Sequence, residues 1–112
     1  MIEEGNVIRF VLQQNDGKLV ARPAVVLKRM KPYNDCIVCG ISKSIGLEIK
    51  GLDFVITEKE TDFKTWGLYY PGVIRAGFLF TISIKYIEGS IGFVGKETHR
   101  KLLKNLTDYL LK

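Results

Sequence analysis

Arg22-Pro23-Ala24-Val25-Val26-Leu27 is the stretch of this sequence that says most about the fold. Proline has no N–H to donate to a neighbouring strand, so Pro23 predicts a strand start, a sheet edge or a bulge. The apolar run after it predicts a buried strand. Arg22 is therefore expected to stand at the mouth of that strand as a fixed, permanent cation.

Two more apolar runs end in side chains that suit phosphate. Residues 36–41 lead to the hydroxyl of Ser42, and residues 72–74 lead to Arg75. A guanidinium offers a planar fork of donors to phosphate oxygens, and a hydroxyl can donate to one of them. Together with Arg22, these residues predict a phosphate-handling site. The alternative is that the arginines are ordinary solvated charges, because strand ends are often charged.

Hydropathy along the chain predicts short antiparallel strands followed by one amphipathic helix. Strands are predicted for residues 5–12, 19–27 (interrupted at Pro23), 36–41, 53–57, 72–75, 78–82 and 86–94. An Asp-Gly pair predicts a hairpin turn within residues 13–18, and residues 58–66 predict a helical turn. The helix is indicated by Leu102, Leu103, Leu106 and Leu110, which recur at helical spacing. The predicted fold is mainly β with a C-terminal helix, consistent with a small β-barrel in which Gly92 relieves packing at a bend.

Length and composition predict a single domain over residues 1–112. The content of 46% hydrophobic and 26% charged residues is ordinary for a globular protein. No apolar stretch approaches the roughly 20 residues that cross a bilayer. Glu3 and Glu4 stand where a signal peptide would carry basic residues, so a cytoplasmic protein without membrane attachment is expected.

The charge balance favours an acidic partner. Seventeen basic residues against twelve acidic ones give a net charge of +5, which suits a polyanion or an acidic protein. The basic residues cluster at Lys28, Arg29 and Lys31, at Lys43 and Lys50, and at Lys96, Arg100, Lys101 and Lys104. The last cluster is interpreted as the solvent face of the predicted helix.

Cys36 and Cys39 have the spacing of a metal-binding pair, but they fall in a predicted strand. Side chains three residues apart in a strand point to opposite faces, so the two thiols are expected to diverge. His99 is the single histidine, and Cys and His of one chain therefore cannot supply four zinc ligands. We expect two small buried cysteines and no metal site.

Eight short segments follow one another in a characteristic order. They are Gly5-Asn6-Val7-Ile8, Arg22 to Leu27, Gly40-Ile41-Ser42, Gly67-Leu68, Pro71, Gly72-Val73-Ile74-Arg75, Thr81-Ile82 and Ile91-Gly92. In this order they resemble the MazF/PemK (Kid-like) family of toxin endoribonucleases, over residues 5–111. Each segment is short, and the specificity comes from their succession. The resemblance implies a small SH3-like β-barrel of the MazF/Kid/CcdB type.

The resemblance also implies a function: a sequence-selective endoribonuclease toxin (an mRNA interferase) of a type II toxin–antitoxin system. Such a toxin cuts single-stranded RNA by attack of the 2′-hydroxyl without a metal or other cofactor. A cytoplasmic homodimer is implied, neutralised by a labile antitoxin whose acidic, poorly ordered segment covers the cleft.

The family's catalytic positions match Arg22 and Ser42, and Arg75 begins the Arg-x-Asp pattern that one branch uses. The expected catalytic set is therefore Arg22, Ser42 and Arg75. Gly77 stands where that branch has its aspartate, and Phe80 where members often have a second arginine. The proton acceptor of that branch is thus absent from this sequence.

RNA is expected to contact the first hairpin loop, which flanks the cleft in similar proteins. Amide side chains there can read the base edges of unpaired RNA, and lysines can contact phosphates. The predicted RNA-binding residues are Gln13, Gln14, Asn15, Lys18 and Lys43. A hairpin that simply faces solvent is the equal alternative for the loop.

Several side chains are candidates for further roles that the sequence does not place. Asp16, Glu48 and an exposed His99 could replace the missing base, although a surface carboxylate is usually only solvated. Tyr69 and Tyr70 either stack on a base or pack in the barrel or in a dimer interface.

Two other functions are open at this stage. The missing acid at Gly77 favours a catalytically inactive barrel of the same fold that binds RNA or a protein. The third possibility is a toxin of the related fold that poisons a protein target such as gyrase.

Overall fold

Over the described residues 2–112, the chain forms one six-stranded antiparallel sheet followed by a helix; the structure is a computed structural model. The strands are β1 Asn6–Gln13, β2 Leu19–Met30, β3 Asp35–Ser42, β4 Phe54–Ile56, β5 Gly72–Ser83 and β6 Ile87–Phe93, and the helix is α1 Lys96–Leu110. Short 3₁₀ helices cover Thr61–Lys64 and Ile84–Tyr86. The order in the sheet is β4-β5-β3-β2-β1-β6. The predicted mainly β fold with a C-terminal helix is confirmed.

The sheet curls until its edge strand β6 meets the connection that leads into β5. Phe93 donates its N–H to the carbonyl oxygen of Thr65, 2.9 Å away. A Cβ at Gly92 would lie 2.3 Å from that same oxygen, and a Cβ at Gly67, where φ is 82°, would lie 2.1 Å from the Ile91 oxygen. Two glycines therefore allow the backbone contact that completes the barrel, and the predicted role of Gly92 is confirmed.

Both faces of the sheet are apolar. Val7, Val25 and Cys39 are register partners in β1, β2 and β3 and share one buried cluster, which Trp66 and Leu102 also join. The opposite face carries a second buried cluster made of Ile8, Phe10, Ala24, Val26, Cys36 and Val38.

Cys36 and Cys39 consequently point to opposite faces, as predicted, and both are free buried thiols. Burial raises the pKa of Cys39 to about 12, so this thiol stays protonated and unreactive at neutral pH.

Two strand predictions were wrong in the same way, because each expected a break where the strand continues. β2 runs through Pro23 without interruption. Pro23 is paired with Arg9 of β1, whereas the pairing of β2 with β3 begins only at Ala24 and Gly40. Because β3 is not paired with β2 at Pro23, the N–H that proline lacks leaves no β3 carbonyl without a partner. β5 is likewise one strand with an irregularity, not two strands.

Asp62 anchors the N-terminus of α1. Its carboxylate accepts hydrogen bonds from the Gly95 N–H, at 2.9 Å, and from the Thr98 hydroxyl. A negative charge at this position also interacts favourably with the helix dipole. Leu102 is buried, but Leu110 is exposed, so the apolar side of the helix ends before its last residue. Within residues 2–112, no helix is long and apolar enough to span a membrane.

Candidate functional site

A cleft of about 510 Å³ opens where the free part of β2 faces the ends of β3 and β5. Its polar lining consists of Arg22, Ser42, Lys43 and Arg75. The structure therefore brings the three predicted catalytic residues together, along with one of the predicted RNA-binding lysines. These residues are separated in the chain by strands and loops, and the sheet order makes them neighbours.

Strand pairing fixes the backbone positions of Arg22 and Ser42 at the cleft. Arg22 is the register partner of Phe10 in β1 and lies beyond the last β2 residue that pairs with β3, so its side chain is exposed. Ser42 ends β3 opposite Val73. Its Oγ accepts a hydrogen bond from the Ser44 N–H at 3.0 Å. That bond fixes the oxygen and leaves the hydroxyl proton free to be donated to a ligand.

Arg75 reaches the cleft through a bulge in β5. Cys39 pairs with Leu79 and Ile41 with Ile74, so residues 75–78 of β5 stand opposite Gly40 alone. Such an irregularity turns side chains out of the regular alternation. A Cβ at Gly40 would come within 2.6 Å of the Phe78 ring, so only glycine at this position leaves enough space for the ring. The Arg75 guanidinium lies over one face of the same ring, with its Cζ 4.8 Å from the ring centroid.

The cleft is positively charged and contains no acid among the described residues that line it. Across residues 2–112, the ion pairs within 4 Å join Lys28 to Glu4 and Lys104 to Asp108. Arg22, Lys43 and Arg75 take part in neither pair. Lys43 lies over the face of Tyr70, with its Nζ 4.3 Å from the ring centroid. The cations of the cleft are therefore available to an anion.

A smaller pocket of about 250 Å³ adjoins the cleft and shares Ser42 and Arg75 with it. Glu48 and Asp53 line this pocket. Backbone N–H groups of Glu48 itself and of Gly46, whose N lies 2.6 Å from Oε1, hold the pKa of Glu48 below its ordinary value. Glu48 is therefore ionised at neutral pH. The structure thus places beside two predicted catalytic residues a carboxylate that sequence reasoning could not locate.

The other candidate bases lie outside both pockets. Asp16 accepts the Lys18 N–H at 2.9 Å within the first hairpin turn. His99 is half-buried and not exposed, and its Nε2 lies 2.9 Å from the carbonyl oxygen of Leu27. Within residues 2–112, no group of three His, Cys, Asp or Glu side chains could hold a metal ion.

The first hairpin contributes less to the cleft than expected. Leu12 at its base lines the cleft, whereas the predicted RNA-binding residues Gln13, Gln14, Asn15 and Lys18 do not. The loop is closed by a hydrogen bond from the Gln14 N–H to the Lys18 oxygen at 2.8 Å. Contact between RNA and these four loop residues stays a prediction.

Gly77 and Phe80, which stand where the family pattern has an aspartate and often a second arginine, differ in their place relative to the cleft. Gly77 is outside the lining, and a Cβ there would lie 3.1 Å from the Leu52 side chain; its φ is not positive. Phe80 lies in the cleft with Phe10 and Phe78, two residues that sequence reasoning missed. The alternation of Phe78 and Phe80 in one strand was the available signal.

The curled six-stranded antiparallel sheet with one C-terminal helix matches the MazF toxin fold, and two solved structures match the chain over nearly its whole length. Mycobacterium tuberculosis toxin MazF-mt6 is 17% identical with a TM-score of 0.70, and the match covers 94% of this chain and 95% of that one. An endoribonuclease in complex with its cognate antitoxin from Mycobacterial species is 18% identical with a TM-score of 0.72, covering 98% and 95%.

These likenesses confirm the predicted fold: the chain has the MazF toxin fold. No protein-family model matches the sequence, and no curated protein matches it significantly. Sequence identities below one fifth leave the activity to be argued from the residues of the cleft.

Proposed function

We propose that this protein is the endoribonuclease toxin of a type II toxin–antitoxin system and that it cuts single-stranded RNA in the cleft. The observation that carries this proposal is the convergence of Arg22, Ser42 and Arg75 on one basic cleft. Proteins described as a MazF toxin and as an endoribonuclease share the fold, which supports the same reaction class.

In the proposed reaction the RNA supplies its own nucleophile. The 2′-oxygen attacks the neighbouring phosphorus, the P–O2′ bond forms, and the P–O5′ bond breaks. Arg22 and Arg75 stabilise the negative charge on the non-bridging oxygens, and Ser42 donates a hydrogen bond to one of them. Glu48 accepts the 2′-proton from the adjoining pocket, and water protonates the leaving 5′-oxygen.

Metal independence is part of the proposal. The two guanidinium groups supply the charge stabilisation that a bound metal ion supplies in other nucleases. The products would be a 2′,3′-cyclic phosphate and a 5′-hydroxyl. We also propose that the enzyme is selective for the sequence around the cut site and that the first hairpin loop, next to Leu12, recognises the bases there.

We also propose a cytoplasmic, single-domain toxin that forms a homodimer and is neutralised by an acidic antitoxin segment. The unpaired cations of the cleft would attract such a segment as they attract RNA. One protein of the same fold is described in complex with its cognate antitoxin.

The test is incubation of the purified protein with a mixed RNA pool in EDTA, followed by mapping of new 5′ ends. We expect cuts that carry 5′-hydroxyl groups and recur at a short sequence. Cleavage that needs added Mg²⁺ or Mn²⁺ would overturn metal independence alone. RNA binding without cleavage in any fraction would favour the inactive barrel.

A further inference from the structure

Three phenylalanines form a continuous row from the core to the cleft. Phe10 is buried, and its ring centroid is 5.3 Å from that of Phe80, with the planes inclined at 55°. Phe80 is 4.9 Å from Phe78 in an edge-to-face arrangement at 67°. Phe78 ends the row and is 45% exposed in the cleft. A ring anchored this way at one end offers a rigid apolar surface at the other.

The backbone is shaped to hold the last ring where it is. The β5 bulge opposite Gly40 leaves room for Phe78, since a Cβ at Gly40 would come within 2.6 Å of it. Gly40 has no positive φ, so the space for the ring, and not a backbone conformation, is what requires glycine. The exposure of Phe78 is thus built into the two strands.

Cations surround this aromatic surface. Arg75 lies with its Cζ 4.8 Å from the Phe78 centroid, and Arg22 and Lys43 line the same cleft. A ligand that fits must combine a flat aromatic group with an adjacent anion. A nucleotide with an unpaired base does so, because the base can stack on a ring while its phosphate meets the guanidinium groups.

We infer that Phe78, the exposed end of the row Phe10–Phe80–Phe78, is a stacking site for one unpaired nucleobase of the RNA, next to the phosphate held by Arg22 and Arg75. This site deepens the proposed function and rests on RNA binding in the cleft, but not on cleavage. Stacking accepts every base because each has a π face. The site therefore selects single-stranded over paired RNA and sets affinity and register, while the sequence preference comes from other contacts.

The test measures binding of a labelled 2′-O-methyl RNA oligonucleotide, which lacks the free 2′-hydroxyl and cannot be cut by the proposed reaction. The oligonucleotide is used complete and as a set in which each position in turn is abasic. We expect the wild type to bind one abasic member about tenfold more weakly, the size of a lost base–aromatic stack. Phe78→Leu should bind the complete RNA about tenfold more weakly and lose its sensitivity to that abasic position.

Matched variants separate stacking from folding. Phe78→Trp keeps an aromatic surface and should retain both the affinity and the abasic penalty. Tyr33→Leu removes an aromatic ring that is 77% exposed in the β2–β3 turn, outside the cleft, and should bind like the wild type. Circular dichroism and thermal unfolding establish that each variant is folded.

Two results would overturn the stacking site. One is a Phe78→Leu protein that keeps wild-type affinity together with the wild-type abasic penalty. The other is a wild type that binds every abasic member equally, because phosphate contacts alone would then account for binding. Failure to cut unmodified RNA, with the abasic penalty intact, would refute the nuclease proposal and support the stacking site.

Discussion

Two regions of this protein are similar in size and both contain several cations, but they differ in the groups that surround those cations. The cleft presents Arg22, Lys43 and Arg75 without an acid in its lining. A second pocket of about 640 Å³ carries four cations but also two acids of the N-terminal segment; it is lined by Ile2, Glu3, Glu4, Lys28, Arg29, Lys31, Lys96 and His99. We call this second region the N-terminal patch.

Two of the four cations of the N-terminal patch, Lys28 and Arg29, have partners within the chain. Glu4 Oε2 accepts the Arg29 N–H at 3.1 Å and lies 3.5 Å from the Lys28 Nζ. Arg29 Nη1 donates to the Ile2 oxygen at 2.7 Å. These contacts attach the N-terminal segment to β2. The comparison teaches that a count of cations does not distinguish the two regions, whereas ion pairing does. Lys28 of the N-terminal patch is paired with Glu4, and no cation of the cleft is in an ion pair within 4 Å among residues 2–112.

The largest effect is expected from a substitution in the cleft. Arg22→Ala should slow RNA cleavage at least about a thousandfold, roughly 4 kcal/mol, because a charge-stabilising group is lost where the phosphorane forms. The melting temperature should stay close to that of the wild type, since the side chain is exposed. Lys28→Ala in the N-terminal patch is the matched control and should cut at the wild-type rate. Equal losses in both variants would abolish the distinction between the regions.

Glu48→Gln should slow cleavage about a hundredfold, the lower end for loss of a general base. The pKa of Glu48 lies below its ordinary value, so the wild-type rate should fall only when the pH drops through that lowered pKa and protonates the carboxylate. The variant should lack this acidic limb of the pH–rate profile. Asp16→Asn, in the hairpin turn, is the control. A profile unchanged by Glu48→Gln would remove the carboxylate from the mechanism.

Ser42→Ala should slow cleavage at least about tenfold, roughly 1.4 kcal/mol of transition-state stabilisation. RNA affinity should fall less than the rate, because the hydroxyl acts mainly on the charge that develops during the reaction. Single-turnover rates and binding to uncleavable RNA measure the two quantities separately. Ser90→Ala, in β6, provides the comparison. Loss of affinity equal to loss of rate would make Ser42 a binding residue only.

The smallest effect is expected in the N-terminal patch and concerns stability. Glu4→Gln removes the negative charge that Oε2 presents to the backbone N–H of Arg29 and to the Lys28 Nζ. These groups, the N–H first, hold the folded-state pKa of Glu4 below its ordinary value. The carboxylate therefore contributes stability fully at pH values above its unfolded-state pKa, and the contribution is lost as the pH falls through the folded-state pKa.

Thermal unfolding of wild type and Glu4→Gln at several pH values checks this prediction. The wild type should be slightly more stable at neutral pH, and the two curves should converge in acid. RNA cleavage should be the same in both proteins. A stability difference that grows in acid would have the wrong sign for a depressed carboxylate.

Three polar residues of the cleft were predictable because each stands at one end of a recognisable apolar run. Arg22, Ser42 and Arg75 were singled out on that ground, and the structure places all three in one cleft. Their surroundings were not predictable. Phe78 enters the cleft only because β5 bulges opposite Gly40, and the register of two strands distant in the chain decides where a bulge forms.

The sequence by itself determined the mainly β class, the C-terminal helix and the divergence of Cys36 and Cys39. These features follow from local periodicity, which any window of the chain displays. The predicted interruption of β2 at Pro23 was wrong, because a proline interrupts a strand only where a neighbouring strand needs its N–H, and β3 does not pair with β2 at Pro23.

Only the tertiary structure decided which cations are free. Glu4 forms an ion pair with Lys28, whereas Arg22 and Arg75 form none within 4 Å among residues 2–112. Electrostatic partners are set by distance in space, and the ion pair of Glu4 with Lys28 joins residues that are far apart in the chain. The chain's local pattern therefore specifies its strands, while the packing of those strands specifies its site.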